Sequence, residues 1–247
     1  YGEGKYLCLK NNQEAYPLQR LDSDMKRGIF NPRCNICNSE LKLVATDEKS
    51  KINPSSFYGK TKYEQEKMVM STGKLLGIPS VAFRYQNVYG PGQSLLNPYT
   101  GILSIFSTRI LNDNDLNIYE DGLESRDFVY IDDVVEATIL GIEKEEANRQ
   151  VFNVGSGKTT TVMEVAEILK SYFNVNVNIV LTGEYRLGDI RHNYADLTKV
   201  KKLLGFSPKY SFKEGVLEFV KWVKTQKIME DKYEKSILEL KRNGLMK

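Results

Sequence analysis

A chain of 247 residues, 41% hydrophobic and 27% charged, has an ordinary globular composition and is long enough to bury a sizeable core. Its net charge of +3 arises from 35 basic residues interleaved with 32 acidic ones, which argues against a nucleic-acid binder. No apolar run approaches the ~18 residues of a membrane span, no secretory leader pattern is visible, and three cysteines make a poor disulfide framework, so a reducing, cytoplasmic compartment is expected.

Tyr1 to Lys5 reads YGEGK, a glycine-rich turn with no capping residue or opening strand before it. Residues 6–50 are polar with few periodic apolar positions, too long for a plain loop, and read as either a small subdomain or a partly disordered segment. Within them Cys34-x-x-Cys37, followed by polar residues and Leu41, resembles half of a zinc ribbon. Cys8 offers a third sulfur, but the residue three further on is Asn11, and the single histidine, His192, is far away in sequence. A structural zinc on Cys8, Cys34 and Cys37 and a metal-free loop both stand open.

Asn53-Pro54 suits the opening of a helix, and from Phe57 a composition rich in Lys, Glu, Gln and Met favours one that ends near Gly73 to Gly77. Tyr58 and Lys62, four apart, share a face of it. A free phenol, with a pKa of about 10, is a poor base at neutral pH, and a fixed ammonium beside it favours the phenolate, which can exchange a proton with a sugar hydroxyl. The spacing alone is not diagnostic, since Tyr1/Lys5, Tyr6/Lys10 and Tyr63/Lys67 share it, and a solvated helix face competes as the explanation. Residues 78–85 read as a strand whose Val81-Ala82-Phe83 run is of the kind a parallel sheet buries on both faces. A Gly/Pro turn over 86–93 follows, and ligands sit beyond the carboxyl ends of such strands, which makes Asn87 a ligand candidate.

Ile102 to Leu111 has helical spacing, Leu116 to Tyr119 reads as a short strand, and Glu120-Asp121-Gly122 as a tight turn. A strand from Ser125 runs into a helix with Asp132 as its expected N-cap. Residues 151–154 form a buried-type strand that opens into Gly155-Ser156-Gly157, a turn expected to let backbone approach a ligand. Phe152 stands where a phosphate loop requires its first glycine, which argues against that reading. A helix over Val162–Phe173, a strand over Val177–Leu181, a helix to Leu204 capped by Asp196 or Thr198, and an amphipathic helix over Phe212–Thr225 carrying Trp222 follow. From about Ile228 the chain reads as a charged, solvated helical tail.

Five of these pieces occur together and in order: YGK-TK with Tyr58 and Lys62, RYQNVYGPGQ at 84–93, RDFVYIDDV at 126–134, FNVGSG at 152–157 and RLGDIRHNYAD at 186–196. Together they resemble the extended short-chain dehydrogenase/reductases and, more narrowly, the NAD-dependent nucleotide-sugar epimerases and dehydratases. The cysteine-bearing insertion, with QSLLNPYTGILSIF at 93–106 and YEDGLESRDF at 119–128, is similar to bacterial epimerases acting at C4 of dTDP-L-rhamnose, with UDP-glucose 4-epimerases as broader relatives. The resemblance implies an α/β fold: the C-terminal portion of a Rossmann-type fold plus a small α/β substrate-binding domain. Residues 1–50 would be the end of a Rossmann strand with the polar insertion. Residues 51–95 would be the remaining Rossmann helix and strand, and 96–247 mostly the nucleotide-sugar domain, with a Rossmann strand returning near 151–154.

It also implies roles. Tyr58 would handle the C4 hydroxyl proton, and Lys62 would hold the nicotinamide ribose of a resident NAD. Tyr85 would lie near the nicotinamide through its backbone, and Asn87 would touch the diphosphate or sugar. Arg126 and Arg186 would grip the diphosphate, with Asp189 in the same loop; for the arginines, structural salt bridges are the alternative. Phe128, Val129 and Val154 read as core. The intact enzyme would be a homodimer paired through the helix bearing Tyr58. The sequence departs from the family by lacking, ahead of YGEG, the glycine-rich turn, the acidic residue after it and the catalytic Ser or Thr. The chain is therefore expected to correspond to the back part of an epimerase and, alone, neither to bind NAD tightly nor to turn over substrate. The rival readings are a 4,6-dehydratase, whose deciding Asp/Glu pair would also precede Tyr1, and a non-catalytic remnant or binding fragment.

Overall fold

Residues 1–97 and 101–247 are described by the computed structural model, and residues 98–100, within the 93–106 stretch noted above, lie outside the described residues. The polar first 50 residues are ordered. β1 (Lys5–Cys8) pairs antiparallel with β2 (Gln13–Ala15) and, on its other side, β3 (Lys42–Val44), with a one-turn helix, α1 (Asp22–Met25), in the excursion between. β1 alternates half-buried and buried positions and turns Tyr6 and Cys8 inward, the period of two that a one-faced strand requires. Ion pairs supplement this thin core, Lys5 to Asp47 at 2.6 Å and Arg20 to Glu120 at 2.7 Å.

α2 (Phe57–Leu76) starts where Ser56 accepts a hydrogen bond from the Gly59 N–H and stops at Gly77, whose φ of +67° is the left-handed conformation glycine adopts without penalty. After it come β4 (Val81–Tyr85), β5 (Asn87–Tyr89), α3 (Ile102–Leu111), β6 (Leu116–Ile118), β7 (Ser125–Arg126), β8 (Phe128–Tyr130), α4 (Ile131–Glu143), β9 (Gln150–Val154), β10 (Thr160–Thr161), α5 (Val162–Phe173), β11 (Ile179–Leu181), α6 (Thr198–Leu204), α7 (Phe212–Val223) and α8 (Tyr233–Arg242). Three parallel pairs dominate: β4 with β9, β5 with β8, and β6 with β11. β7 and β10 pair antiparallel.

Two large apolar cores form among the described residues, beside a small cluster of Tyr233, Ile237 and Met246. One packs α3, α5 and α7 against β6 and β8 around Phe106, Leu169 and Phe219. The other packs α4 and α6 against β9 around Phe152, Val200, Leu204 and Phe206. Phe128, Val129 and Val154 are buried, as read from the sequence. No helix among the described residues is long and apolar enough to cross a membrane.

Several local expectations need correction. Asn87 to Tyr89 is a strand and not part of a turn, because it finds a parallel partner in β8. Val81 to Phe83 is half-buried and not fully buried: α2 and α4 both pack on β4, but among the described residues it pairs only with β9, which leaves its other edge open. Asp132 does not cap α4: Tyr130 is the N-cap, and Asp132 lies in the first turn, where its charge complements the helix dipole. Neither Asp196 nor Thr198 is the N-cap of α6, which is Leu197, although the Asp196 carboxylate accepts from the Thr198 N–H at 2.7 Å.

The tail is not merely solvated. α8 buries Tyr233 and Ile237, the Tyr233 and Tyr119 hydroxyls bond at 2.8 Å, and Arg109 pairs with Asp231 and Glu234. Beyond α8, Lys247 and Tyr185 exchange backbone hydrogen bonds, and the Leu187 N–H donates to the Leu245 carbonyl.

Candidate active site

A cleft of about 980 Å³ runs along β4 from Val81 to its carboxyl end at Tyr85, where Asn153 of β9 also lines it. α2 contributes Tyr58, Lys62, Gln65 and Glu66. The chain leaving β4 contributes Tyr85, Gln86 and Asn87, and β9 contributes Asn153. Arg126, the 186–190 loop, Asn193, Leu240 and Leu245 also line it, as do residues of the first 56, Glu3 among them. Seven residues singled out in the sequence, Tyr58, Lys62, Tyr85, Asn87, Arg126, Arg186 and Asp189, thus share one cavity although they span 131 residues (189 − 58).

On the α2 side, the Lys62 ammonium lies 5.7 Å from the centroid of the Tyr58 ring and donates to Gln65 Oε1 at 3.2 Å. The Tyr58 side of the cleft is open, with the residue 70% exposed. α2 is fixed to β4 by a bidentate pair in which Arg84 Nε and Nη2 donate to Glu66 at 2.8 and 2.7 Å, the fork-to-fork geometry that orients as well as attracts. Glu66 is one turn beyond Lys62, so this pair sets the height of the Tyr58–Lys62 face over the strand ends. Tyr85 stacks its ring on Phe83, another lining residue, and its hydroxyl bonds Thr138 Oγ1 at 2.8 Å.

The arginine side is built differently. Arg126 Nη1 donates to the carbonyls of Ser125 and Arg191, both at 3.0 Å, and its Nη2 donates to the Ile190 carbonyl at 2.7 Å and to Asp189 Oδ1 at 3.2 Å. It therefore holds the 189–191 backbone in shape. Arg186 forms no ion pair among the described residues and lines the cleft. Below the loop, Arg191 is fully buried and bonded to Asn31, Glu120 and Asp121 at 2.8–2.9 Å. The Glu3 carboxylate accepts the backbone N–H groups of Arg191 and His192 at 2.7 and 2.8 Å. Burial, with the charge of Arg191 next in weight, holds the His192 imidazole down to about 4, so it is neutral, with Nδ1 2.8 Å from Ser125 Oγ. Burial pushes the Glu124 carboxyl up to about 7.

Where the sequence leads us to expect a ligand, the Gly155-Ser156-Gly157 turn closes on a protein carboxylate. Asp127 accepts from the Ser156 N–H and hydroxyl at 2.6 Å each, from the Gly157 N–H at 3.0 Å and from the Ala195 N–H at 3.1 Å. A Cβ at residue 155 would lie 2.4 Å from Asp127 Oδ2, so only glycine lets the turn close on that group. None of these three turn residues lines the cleft.

Cys8, Cys34 and Cys37 come together away from the cleft, with all three sulfurs within 4.8 Å of one another. Hydrogen bonds from Ser39 hold the Cys37 thiol down to about 6.

Residues the sequence reading passed over include Glu3, Glu66, Arg84, Asp127 and Arg191. Each is a charged side chain at low exposure or in a network, and the periodicity of apolar positions carries no information about such partners. Leu240 and Leu245 were hidden by the charge of the tail, yet Tyr233, Ile237 and Leu240 recur at i, i+4 and i+7, the apolar stripe of a packed helix.

Residues 38–155 match the profile of the NAD dependent epimerase/dehydratase family. The chain carries a domain of that family. It is 36% identical over 224 residues to a dTDP-L-rhamnose 4-epimerase of Burkholderia thailandensis, covering 90% of this chain and 60% of that protein. It is 31% identical to a putative UDP-glucose 4-epimerase of Methanocaldococcus jannaschii, covering 81% and 64%. The crystal structure of UDP-glucose 4-epimerase with UDP-glucose from Thermotoga maritima superposes with a TM-score of 0.68 at 37% identity, over 74% of this chain and 58% of that one. The fold is thus shared with the Rossmann-type epimerases, and the chain spans about three-fifths of the length of these relatives.

Proposed function

We propose that this chain supplies the acid/base and substrate-gripping residues of an NAD-dependent epimerase acting at C4 of a nucleotide sugar. The supporting observation is that Tyr58 and Lys62 share one cleft with Arg126 and Arg186, in a chain whose relatives include a dTDP-L-rhamnose 4-epimerase and a UDP-glucose 4-epimerase. With this reading goes the division into an inserted 1–50 segment, a Rossmann helix and strand over 51–95, and a nucleotide-sugar portion over 96–247. A cytoplasmic homodimer paired through α2 goes with it too, and the exposed Met68, Leu75 and Leu76 on that helix suit a covered face.

Tyr58 takes the C4 hydroxyl proton, with Lys62 supplying positive charge one turn away. NAD, held at its nicotinamide-ribose end by Tyr58 and Lys62, would supply reversible hydride acceptance at C4, so that a 4-keto form of the sugar would arise with no net redox change. Rotation of the flat keto sugar about its diphosphate presents the other face, and Tyr58 returns the proton to the oxygen. Arg186 meets the diphosphate directly. Arg126 joins it by exchanging Asp189 for a phosphate oxygen while keeping its carbonyl contacts. Asn87 touches the substrate, and Tyr85 lies by the nicotinamide through its backbone. The residues fit the nicotinamide-ribose end of the cofactor: an exposed phenol and an ammonium face open space at the strand ends, where family ligands sit.

The test is incubation of a protein carrying this chain with NAD and C4-epimeric pairs of UDP- and dTDP-sugars, followed by NMR. Interconversion of a pair at C4 is expected. Formation of a 4-keto-6-deoxy sugar would assign a dehydratase instead, and nucleotide binding without turnover would assign a binding fragment.

A further inference from the structure

We propose that Cys8, Cys34 and Cys37 form a zinc site with three thiolate ligands and a fourth, water-filled position. The ligands come from two turns. Cys8 ends β1, where the chain reverses into β2. Cys34 and Cys37 bracket a tight turn closed by Asn38 N–H to Cys34 carbonyl at 2.8 Å and Cys34 N–H to Ser39 carbonyl at 2.9 Å. Four thiolates or three about a tetrahedral zinc, at about 2.3 Å each, stand about 3.8 Å apart. Cys8 Sγ and Cys37 Sγ stand 3.6 Å apart, and all three sulfurs fall within 4.8 Å. That separation is well beyond the roughly 2.05 Å of a disulfide.

The surroundings favour a metal over chance. Apart from Pro17 and Pro32, the buried apolar side chains among the first 50 residues are Tyr6, Met25 and two of these cysteines, Cys8 and Cys34. A three-stranded sheet with so little apolar packing is the kind of small unit that a metal staples. Asn11 stands three residues after Cys8, where a complete ribbon would place its fourth sulfur, and its amide nitrogen points at Cys34 Sγ at 3.8 Å. An amide in that place donates to a thiolate and supplies no fourth sulfur, and the Ser39 hydroxyl stands 3.4 and 3.1 Å from Cys8 and Cys37 Sγ.

The site also bears on the cleft. β1 runs directly from Glu3, which lines the cleft and holds the backbone of Arg191 and His192. A metal that fixes β1 thereby steadies the loop carrying Arg186.

The reduced chain is titrated with Co²⁺ and then Zn²⁺ and followed by absorption. One equivalent of Co²⁺ is expected to give thiolate-to-metal charge-transfer bands with tetrahedral ligand-field bands, and Zn²⁺ to bleach them. Cys34→Ser loses the charge-transfer bands, and Asn11→Cys makes zinc harder to remove with a chelator, a gain that does not depend on a weakened variant folding. No thiolate band in the reduced wild-type chain, or bands that persist in a Cys8→Ser/Cys34→Ser variant, would overturn the proposal.

Discussion

The two sides of the cleft are secured to very different degrees. The 186–193 loop rests on a fully buried arginine with three side-chain partners, on Glu3 and, just beyond, on Asp127. α2, by contrast, buries only Gly59 and Gly73, exposes Tyr58, Met68, Leu75 and Leu76, and is tied to β4 through the Glu66–Arg84 pair. The side that would meet a charged nucleotide is therefore shaped in advance. The side that carries the phenol takes its position from one ion pair and from what packs on its outer face.

Breaking the anchored side has the largest expected effect. Asp127→Ala strands three backbone N–H groups and a hydroxyl, each costing about 1–3 kcal/mol when buried without a partner. A loss of at least about 3 kcal/mol in urea unfolding is expected. A loss under about 1 kcal/mol would mean that the loop is held elsewhere. Arg84→Met tests the other side. It leaves Glu66 poorly solvated and without its partner, at a cost of about 3 kcal/mol. Amide exchange should accelerate along α2 and stay unchanged over 186–193, and adding Glu66→Met should restore most of the loss.

A smaller effect sharpens the electrostatics beneath the loop. Burial raises Glu124 to about 7, so the folded state keeps a proton that an unfolded glutamate releases near about 4.3; this stabilisation is present at low pH and lost as pH rises through 7. His192, held down to about 4, acts in the opposite sense: its contribution is present above about 6.5 and lost as pH falls toward 4. The two oppose one another between about pH 4.5 and 6.5. Glu124→Gln should therefore gain stability relative to wild type as pH rises from 5 to 8, and His192→Asn as pH falls from 7 to 4, each by on the order of 1 kcal/mol. Unfolding curves across this range that ran parallel to wild type would contradict both assignments. Smallest of all, Tyr58→Phe should leave stability within about 0.5 kcal/mol, since the side chain is exposed. A larger thermal shift would mark a structural role for the hydroxyl.

Elements with strong periodicity were legible without coordinates: α3 and α5 have the limits that the spacing of Ile102–Leu111 and Val162–Phe173 gives. The cleft residues were reachable through motifs, because Tyr58–Lys62 and the arginines sit in stretches whose order is specific even though each pair is not. What stayed hidden depends on distant partners. Nothing in the Gly155-Ser156-Gly157 turn says that its anion is Asp127 and not a phosphate. Nothing in a polar run of fifty residues says that Arg20 and Arg191 will share Glu120. The tail was misread because its lysines and glutamates outnumber the Tyr233–Ile237–Leu240 stripe that packs.

In the proposed mechanism Tyr58 moves a proton in a cleft whose far side would hold the nucleotide. Turnover of a C4-deuterated nucleotide sugar, compared between wild type and Tyr58→Phe in a protein carrying this chain, measures that directly. The expected result is inversion at C4 with deuterium retained in wild type, a fall in kcat of about 100-fold or more in the variant, and unchanged affinity for UDP or dTDP. Inversion at an equal rate in the variant, or loss of the label to water, would contradict it.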